Sequence, residues 1–483
     1  MRFVLILAIV GLAASAGGAA SWVKPPKMRD GVRVGVFDAE VRRVYGLSEG
    51  LPDPDVRCVA LSPERSVYAG TTKGLVRVEG ERAIAVEGMD TAVDAVGLWR
   101  NGVVAFCAAQ VFQVREDKAS AVATFKGGQV LDIGGVQALY IASDNGLFRL
   151  DGQAFVGEDG LHVLLGTNLR VNQLAFGPDG ELAVAAEAGL FARADGRWDR
   201  LIPDDGARRW AVAGVRGVAF DEDGRLWCAS PQGAACREEG AWRLYTGYEG
   251  VPYDDFTTMA RGEDGVVWFG MRIGAIRYDG AHWAYRQGRR WLPHDEVREI
   301  AVDADGNAWF ATAGGLGVIE RRATTLAEKA RFFEDEIDAY HRRTPYGFVD
   351  AVHLKTPGDK SEWTQSDSDN DGLWTGMYGA GECFAWAATR DPKAKDRAKA
   401  AFEALRFLRV VAEGCEHEPP AGFVARSILP TSGPDPNEGR LEDDRRRRDT
   451  DDTQWKVFEP RWPKSCLLYT SDAADEEDSV DLG

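Results

Sequence analysis

One pattern recurs seven times between about Val56 and Arg321: an alternating strand, a turn carrying Asp-Gly, a second strand with an aromatic residue, a glycine turn and a third strand. The clearest copies start at Val215, Phe256 and Val297, and weaker ones start near Val56, Val93, Val130 and Val171. Successive starts lie 37, 37, 41, 44, 41 and 41 residues apart. A period of that length belongs to propeller blades or stacked repeats, not to one continuous core.

The turn glycines Gly180, Gly224, Gly265 and Gly306 follow Asp179, Asp223, Asp264 and Asp305 at equivalent positions, where a tight hairpin asks for positive φ. Trp227, Trp268 and Trp309 also share one repeat position. Burying each indole removes roughly 150–250 Å² from water, or about 4–6 kcal/mol as an upper figure, so they are read as packing between blades before ligand stacking.

The copies resemble the two-component regulator propeller repeat, whose strand, D-x-x-G-x-[LVA]-W, small residue and G-G-L are matched best by Val297 to Val318. The resemblance implies a ring of blades of the kind found in extracytoplasmic ligand-sensing regions. Seven blades are expected within residues 34–321, with six or eight compatible with the weak copies. The last copy lacks an outer strand, and a matching segment, VRRVYGLSEGLPDPD at 41–55, lies at the other end of the domain. An N-terminal strand completing the last blade would remove two open sheet edges.

Both ends are set apart from the fold. Residues 1–20 combine Arg2, an apolar run from Phe3 to Ala13 and small residues around Gly18 and Ala20, the pattern of a cleaved export signal. The run is shorter than the roughly 20 residues of a membrane span, so no membrane span is expected and the product is read as exported, periplasmic or extracellular. Residues 466–483 resemble translated sequencing-adapter DNA and are read as foreign to the protein, with the helical domain cut short before them. Without that tail, 70 acids face 58 bases, a net charge of -12, which argues against nucleic-acid binding. Cys228 and Cys236 flank a short turn and could pair, or remain buried thiols.

After Glu320 the hydrophobic period changes from 2 to 3.6. Helices are expected over Thr324–Arg343, Gly372–Arg390 and Asp391–Gly414, the last with Pro392 in its first turn, and Gly376, Gly379 and Gly381 are expected to permit close helix contact. The charged run from Arg440 to Trp455 is expected to be an exposed loop or flexible insertion and not a nucleic-acid patch. Residues 322–465 are thus read as a partial α-helical domain. The stretch from Ser366 to Ala394 resembles the helical hairpins of (α/α) toroid enzymes acting on carbohydrates, including hydrolases and lyases of uronic-acid polymers. In that resemblance acids and aromatics at inner helix ends hold the sugar, which singles out Asp371, Trp374, Tyr378 and Glu382.

Asp367, Asp369 and Asp371, followed by Gly372, have a spacing that can wrap three carboxylates around calcium, but Tyr378 stands where the full loop has glutamate. The alternative is a solvated acidic loop in which Asp371 caps the next helix. Asp371 and Glu382 as a glycosidase pair would need a separation near 5 or about 6.5–9.5 Å, whereas eleven helical residues span roughly 15 Å. A lyase needs a base, often Tyr or His, near a residue that neutralises a uronate, for which Tyr378, His353, His417 and Arg426 are candidates by type. Asp371 and Tyr378 are taken as catalytic candidates and Trp374, Glu382 and Arg426 as ligand-binding ones. The expected whole is a mainly β protein: a seven-bladed propeller followed by a truncated toroid-like helical domain, binding a carbohydrate or other small polar metabolite. The alternatives are a polysaccharide lyase or glycoside hydrolase, and the sensor part of a two-component system.

Overall fold

The computed structural model describes residues 36–178, 180–211, 213–356, 358–365, 370–411, 413, 421–422, 424–428, 440–451 and 467–468. The expected leader lies outside these residues, as do Asp179, Asp367, Asp369 and His417. The chain divides into one unit of residues 37–324 and another of 325–483 with Met1–Val36.

Residues 37–324 form a seven-bladed β-propeller. Blades 1 to 6 are four-stranded meanders over residues 56–85, 93–124, 130–157, 171–201, 217–245 and 256–286. The first strands of neighbouring blades lie side by side all the way round, blade 7 against blade 1 included, so these strands are the innermost. Blade 7 takes three strands, Val297–Val302, Ala308–Thr312 and Gly315–Thr325, and its fourth is Val36–Tyr45 from the start of the domain. That strand begins five residues before the segment suggested by sequence, and residues 46–55 form turns instead. It also touches blade 1: the Tyr45 hydroxyl donates to the Gly80 carbonyl at 2.7 Å, and its ring stacks on Trp309 at 5.8 Å.

The cores lie between blades rather than within them. Trp227 packs with Phe256, Met259 and Phe269 of blade 6, Trp268 with Val297 and Phe310 of blade 7, and Trp309 with Val56, Val59 and Val67 of blade 1. Each indole is buried and cements its blade to the next, about one repeat further along the chain for Trp227 and Trp268 and, for Trp309, across the ring closure to blade 1. Gly180, Gly224, Gly265 and Gly306 all have positive φ, from 72° to 82°, as the hairpin turns require. Cys228 and Cys236 are both free. Strand register sets Cys228 against Ala235 and Cys236 against Trp227, so the two thiols point to opposite faces of the sheet and into different cores.

The other unit is a small helical region. Helix α1 (Leu326–Glu336) opens with a capping box in which Thr325 and Glu328 bond each other's backbone amides, and it widens into a π turn at Ile337–His341. A hairpin, Val352–Thr356 with Asp359–Gln365, precedes α2 (Asp371–Thr389) and α3 (Pro392–Val410). Asp391 caps α3 by accepting from the Lys393 amide, with Pro392 in the first turn as its fixed φ favours. The charged run expected to be a loop forms helix α4 (Arg440–Thr450), where Asp443 and Arg446 pair at i,i+3. Leu467–Leu468, from the stretch read as foreign, pair antiparallel with Ser427–Ile428.

Candidate functional site

Helix α2 is apolar by composition but turns its polar residues inward. Asp371, Thr375 and Glu382 are its buried residues, while Leu373, Trp374, Met377 and Phe384 are exposed. Asp371, Thr375, Tyr378 and Glu382 follow the i, i+4, i+7, i+11 spacing of one helix face. Tyr378 and Glu382 therefore stand one turn apart, against groups brought by α1 and α3.

Around them lies a compact ionic network. The Tyr378 hydroxyl donates to Glu334 Oε2 of α1 at 2.8 Å and accepts from Arg342 Nη2 at 2.8 Å, with the guanidinium 4.7 Å from the ring centre. Arg397 of α3 reaches Glu334 Oε2 at 3.2 Å and Asp338 Oδ2 at 2.6 Å, and Arg342 reaches Asp338 Oδ1 at 2.9 Å. Burial, and then the hydrogen-bonding Glu334 carboxyl, push Glu382 up to about 8 against the opposing pull of Arg397 and Arg342. Burial and the bond to Glu334 likewise hold the Tyr378 phenol above its ordinary range. Two arginines and two carboxylates in hydrogen-bond contact can orient a polar ligand, and a carboxyl pushed up in this way suits proton donation near neutral pH. Glu334, Arg342 and Arg397 are absent from the sequence reading; spacing along α2 points to one helix face, but nothing in the sequence says which charges meet it.

The other expected site residues are placed differently. Asp371 is fully buried, and its Oδ2 accepts from Arg343, from Ser427 Oγ at 3.2 Å and from the Ile428 amide at 3.0 Å. Arg343 also pairs with buried Asp350 at 3.3 Å. This network knits the unit together, and a guanidinium against the carboxylate opposes a cation there, so Asp371 does not fit a calcium cage. Among the described residues no cluster of three metal-ligating side chains occurs. Trp374 is half-exposed on the outer side of α2, and Arg426 is half-buried next to Ser427.

The propeller offers a second recognition feature, a cleft of about 180 Å³ between blades 5 and 6. Its wall is the aromatic cluster of Trp227, Tyr245 and Tyr278, in which Trp227 and Tyr245 stack at 5.5 Å. Trp242, Arg225 and Arg243 line it as well, and Arg225 is tied to Asp221, Asp223 and Glu238. The sequence singled out Trp227 as packing, but a cleft made jointly by two blades is invisible to a repeat pattern.

Near the axis, the residue two places after each repeat start forms a ring: Cys58, Ala95, Asp132, Gln173, Gly217, Thr258 and Glu299. In six blades the innermost strand carries a bulge just before this residue. The ring acids bond the next blade: Glu299 Oε2 accepts from the Val59 amide and Asp132 Oδ2 from the Leu174 amide, each at 2.8 Å. Gln173 spans two blades, accepting from the Val218 amide at 3.0 Å and the Met259 amide at 3.1 Å. Burial raises Asp132 to about 7, and burial and then Asp132 raise Glu299 well above the usual carboxylate range.

No protein-family model matches the sequence, and no curated protein matches it. Similar solved structures include two extracellular domains attributed to hybrid two-component systems of B. thetaiotaomicron, each 16% identical over 58% of this chain, with TM-scores of 0.46 and 0.48. This chain covers 42% and 40% of their lengths, well under half of each. Another is virginiamycin B lyase from Staphylococcus aureus, 11% identical with a TM-score of 0.44, covering 59% of this chain and 99% of that one. At such identities function does not carry over to this chain.

Proposed function

We propose that this chain is an exported ligand-recognition protein whose propeller binds a carbohydrate or another small polar extracellular metabolite. The observation that supports this reading is the cleft between blades 5 and 6, where the half-buried Trp242 and the exposed Arg243 line a concave site backed by buried Trp227, Tyr245 and Tyr278. Flat aromatic faces take the apolar face of a ring, and planar guanidinium groups bind hydroxyl or carboxylate oxygens in pairs. The leader-like residues 1–20 support export. Titration calorimetry with a panel of neutral and acidic mono- and oligosaccharides tests it. Binding by at least one sugar, weakened about tenfold (~1.4 kcal/mol) by Trp242→Ala, is expected. Absence of heat across the whole panel would count against the reading.

A second reading, a polysaccharide lyase acting through the helical unit, is favoured by one observation: Glu382 is buried beside Glu334 and one turn from Tyr378, and burial pushes its carboxyl up to about 8, the range a general acid needs. Glu334 and Glu382 are in hydrogen-bonding contact, closer than the roughly 5 Å or more that separates the carboxyls of glycosidases, which favours a lyase over a hydrolase. Incubation of the full chain with uronic-acid polymers should then release unsaturated products, and their absence would remove this reading.

A further inference from the structure

Glu382 presents a problem of charge. The residue is 5% exposed, and among the described residues no donor reaches its Oε2. The groups facing it are Glu334 and Asp338 from α1 and the π turn, Arg342 just beyond, Tyr378 on its own helix and Arg397 from α3. Both guanidinium groups are already engaged. Arg397 bridges Glu334 and Asp338, while Arg342 holds Asp338 and the Tyr378 hydroxyl. Among the described residues two cations therefore balance two carboxylates, and an ionised Glu382 would add a third negative charge in a buried place.

We propose that Glu382 and Glu334 form a proton-sharing carboxyl pair that ties α2 to α1 at neutral pH and comes apart as pH rises. The proton sits on Glu382, which donates to the Glu334 carboxylate that Arg397 and Tyr378 hold in place. No co-reactant is needed beyond the proton taken from or released to water. The upward push on Glu382, from burial first and Glu334 second, agrees with this assignment. Its sign follows from linkage. The unfolded chain releases the Glu382 proton near pH 4.3, while the folded chain keeps it to about 8. The pair's contribution is thus complete below about pH 4 and is lost as pH rises through about 8. This assignment holds whether or not the unit is catalytic.

The test is amide hydrogen exchange of α2 in the full chain at pH 6 and pH 9, corrected for intrinsic rates and referenced to strands of blade 4. Protection of 371–389 should fall about tenfold or more between these pH values in the wild type. Glu382→Gln supplies an amide donor that does not titrate, so its protection should change less than about twofold. Equal pH-dependent loss in the wild type and the variant, or no loss in the wild type, would overturn the pair. Infrared difference spectra of the wild type minus Glu382→Gln give a second readout, separate from the Asp132 and Glu299 carboxyls that both proteins keep: a protonated-carboxyl band of the wild type that the variant lacks is expected at pH 7 and is gone at pH 10. Its absence at pH 7 would equally refute the proposal.

Discussion

Asp221 shows how one carboxylate sets a blade turn. It is 1% exposed and accepts from the Asp223 amide at 3.1 Å, the Arg225 amide at 2.9 Å, Arg225 Nε at 2.7 Å and the Trp227 indole at 2.7 Å. Asp303 does the same in blade 7 for the Asp305 and Asn307 amides and the Trp309 indole. Blade 6 has Gly262 at this place, and its turn is held by the Gly262–Val266 backbone bond. Asp221→Ala strands several donors around a buried site and should destabilise the propeller by about 3 kcal/mol, read from the urea midpoint. Gly265→Ala tests the turn backbone alone. At φ 72° an added Cβ meets nothing within 4 Å, so the cost should be only about 1 kcal/mol, from backbone strain. The Asp-Gly turns and the Trp position were legible in the sequence because both recur at a fixed offset. The carboxylate six residues before the indole recurs too, but only in the two blades that have it.

At the scale of elements, three glycines of α2 look alike in sequence and differ in structure. A Cβ at Gly379 would lie 2.9 Å from Ala401 Cβ of α3, one at Gly376 would lie 4.0 Å from Leu405, and one at Gly381 would meet nothing within 4 Å. Gly379→Ala should therefore loosen the α2–α3 contact and lower stability by about 1–3 kcal/mol. Gly381→Ala should raise it by up to about 1 kcal/mol through helix propensity. Paired thermal melts of the two variants check both signs. The helices α2 and α3 were legible from their period, from Pro392 and from Asp391. The π turn at Ile337–His341 was not, because nothing in that stretch breaks the apolar rhythm. Composition hides helix α4, whose charge blocks look like a solvated loop while their i,i+3 spacing supports a helix. The site suffered from the same limit. Tyr378 and Glu382 stand out in the sequence by residue type, but their meaning depends on Glu334, Arg342 and Arg397, which arrive from other elements.

For the whole molecule, the repeat spacing implied a ring and left its axis undescribed. Glu299 and Val59 lie 240 residues apart and meet only because the ring closes. With Asp132 and Glu299 both raised by burial and with no cation among the ring positions, the propeller binds protons that the unfolded chain gives up. Its stability should therefore fall as pH rises from about 4 to 7, and Glu299→Gln should flatten that slope in pH-dependent urea unfolding. Closure itself rests on the Val36–Tyr45 strand, fastened to blade 7 by Asp38–Arg321 at 2.6 Å and Arg43–Glu320 at 2.8 Å, and to blade 6 by Glu40 with Arg286. Hydrogen exchange resolved to this strand tests the closed ring most directly. Amides of 36–45 and of Gly315–Thr325 should exchange as slowly as those of Ala308–Thr312, and deleting residues 1–45 should expose all of blade 7. Rapid exchange of 36–45 beside a protected Gly315–Thr325 would contradict closure by this strand.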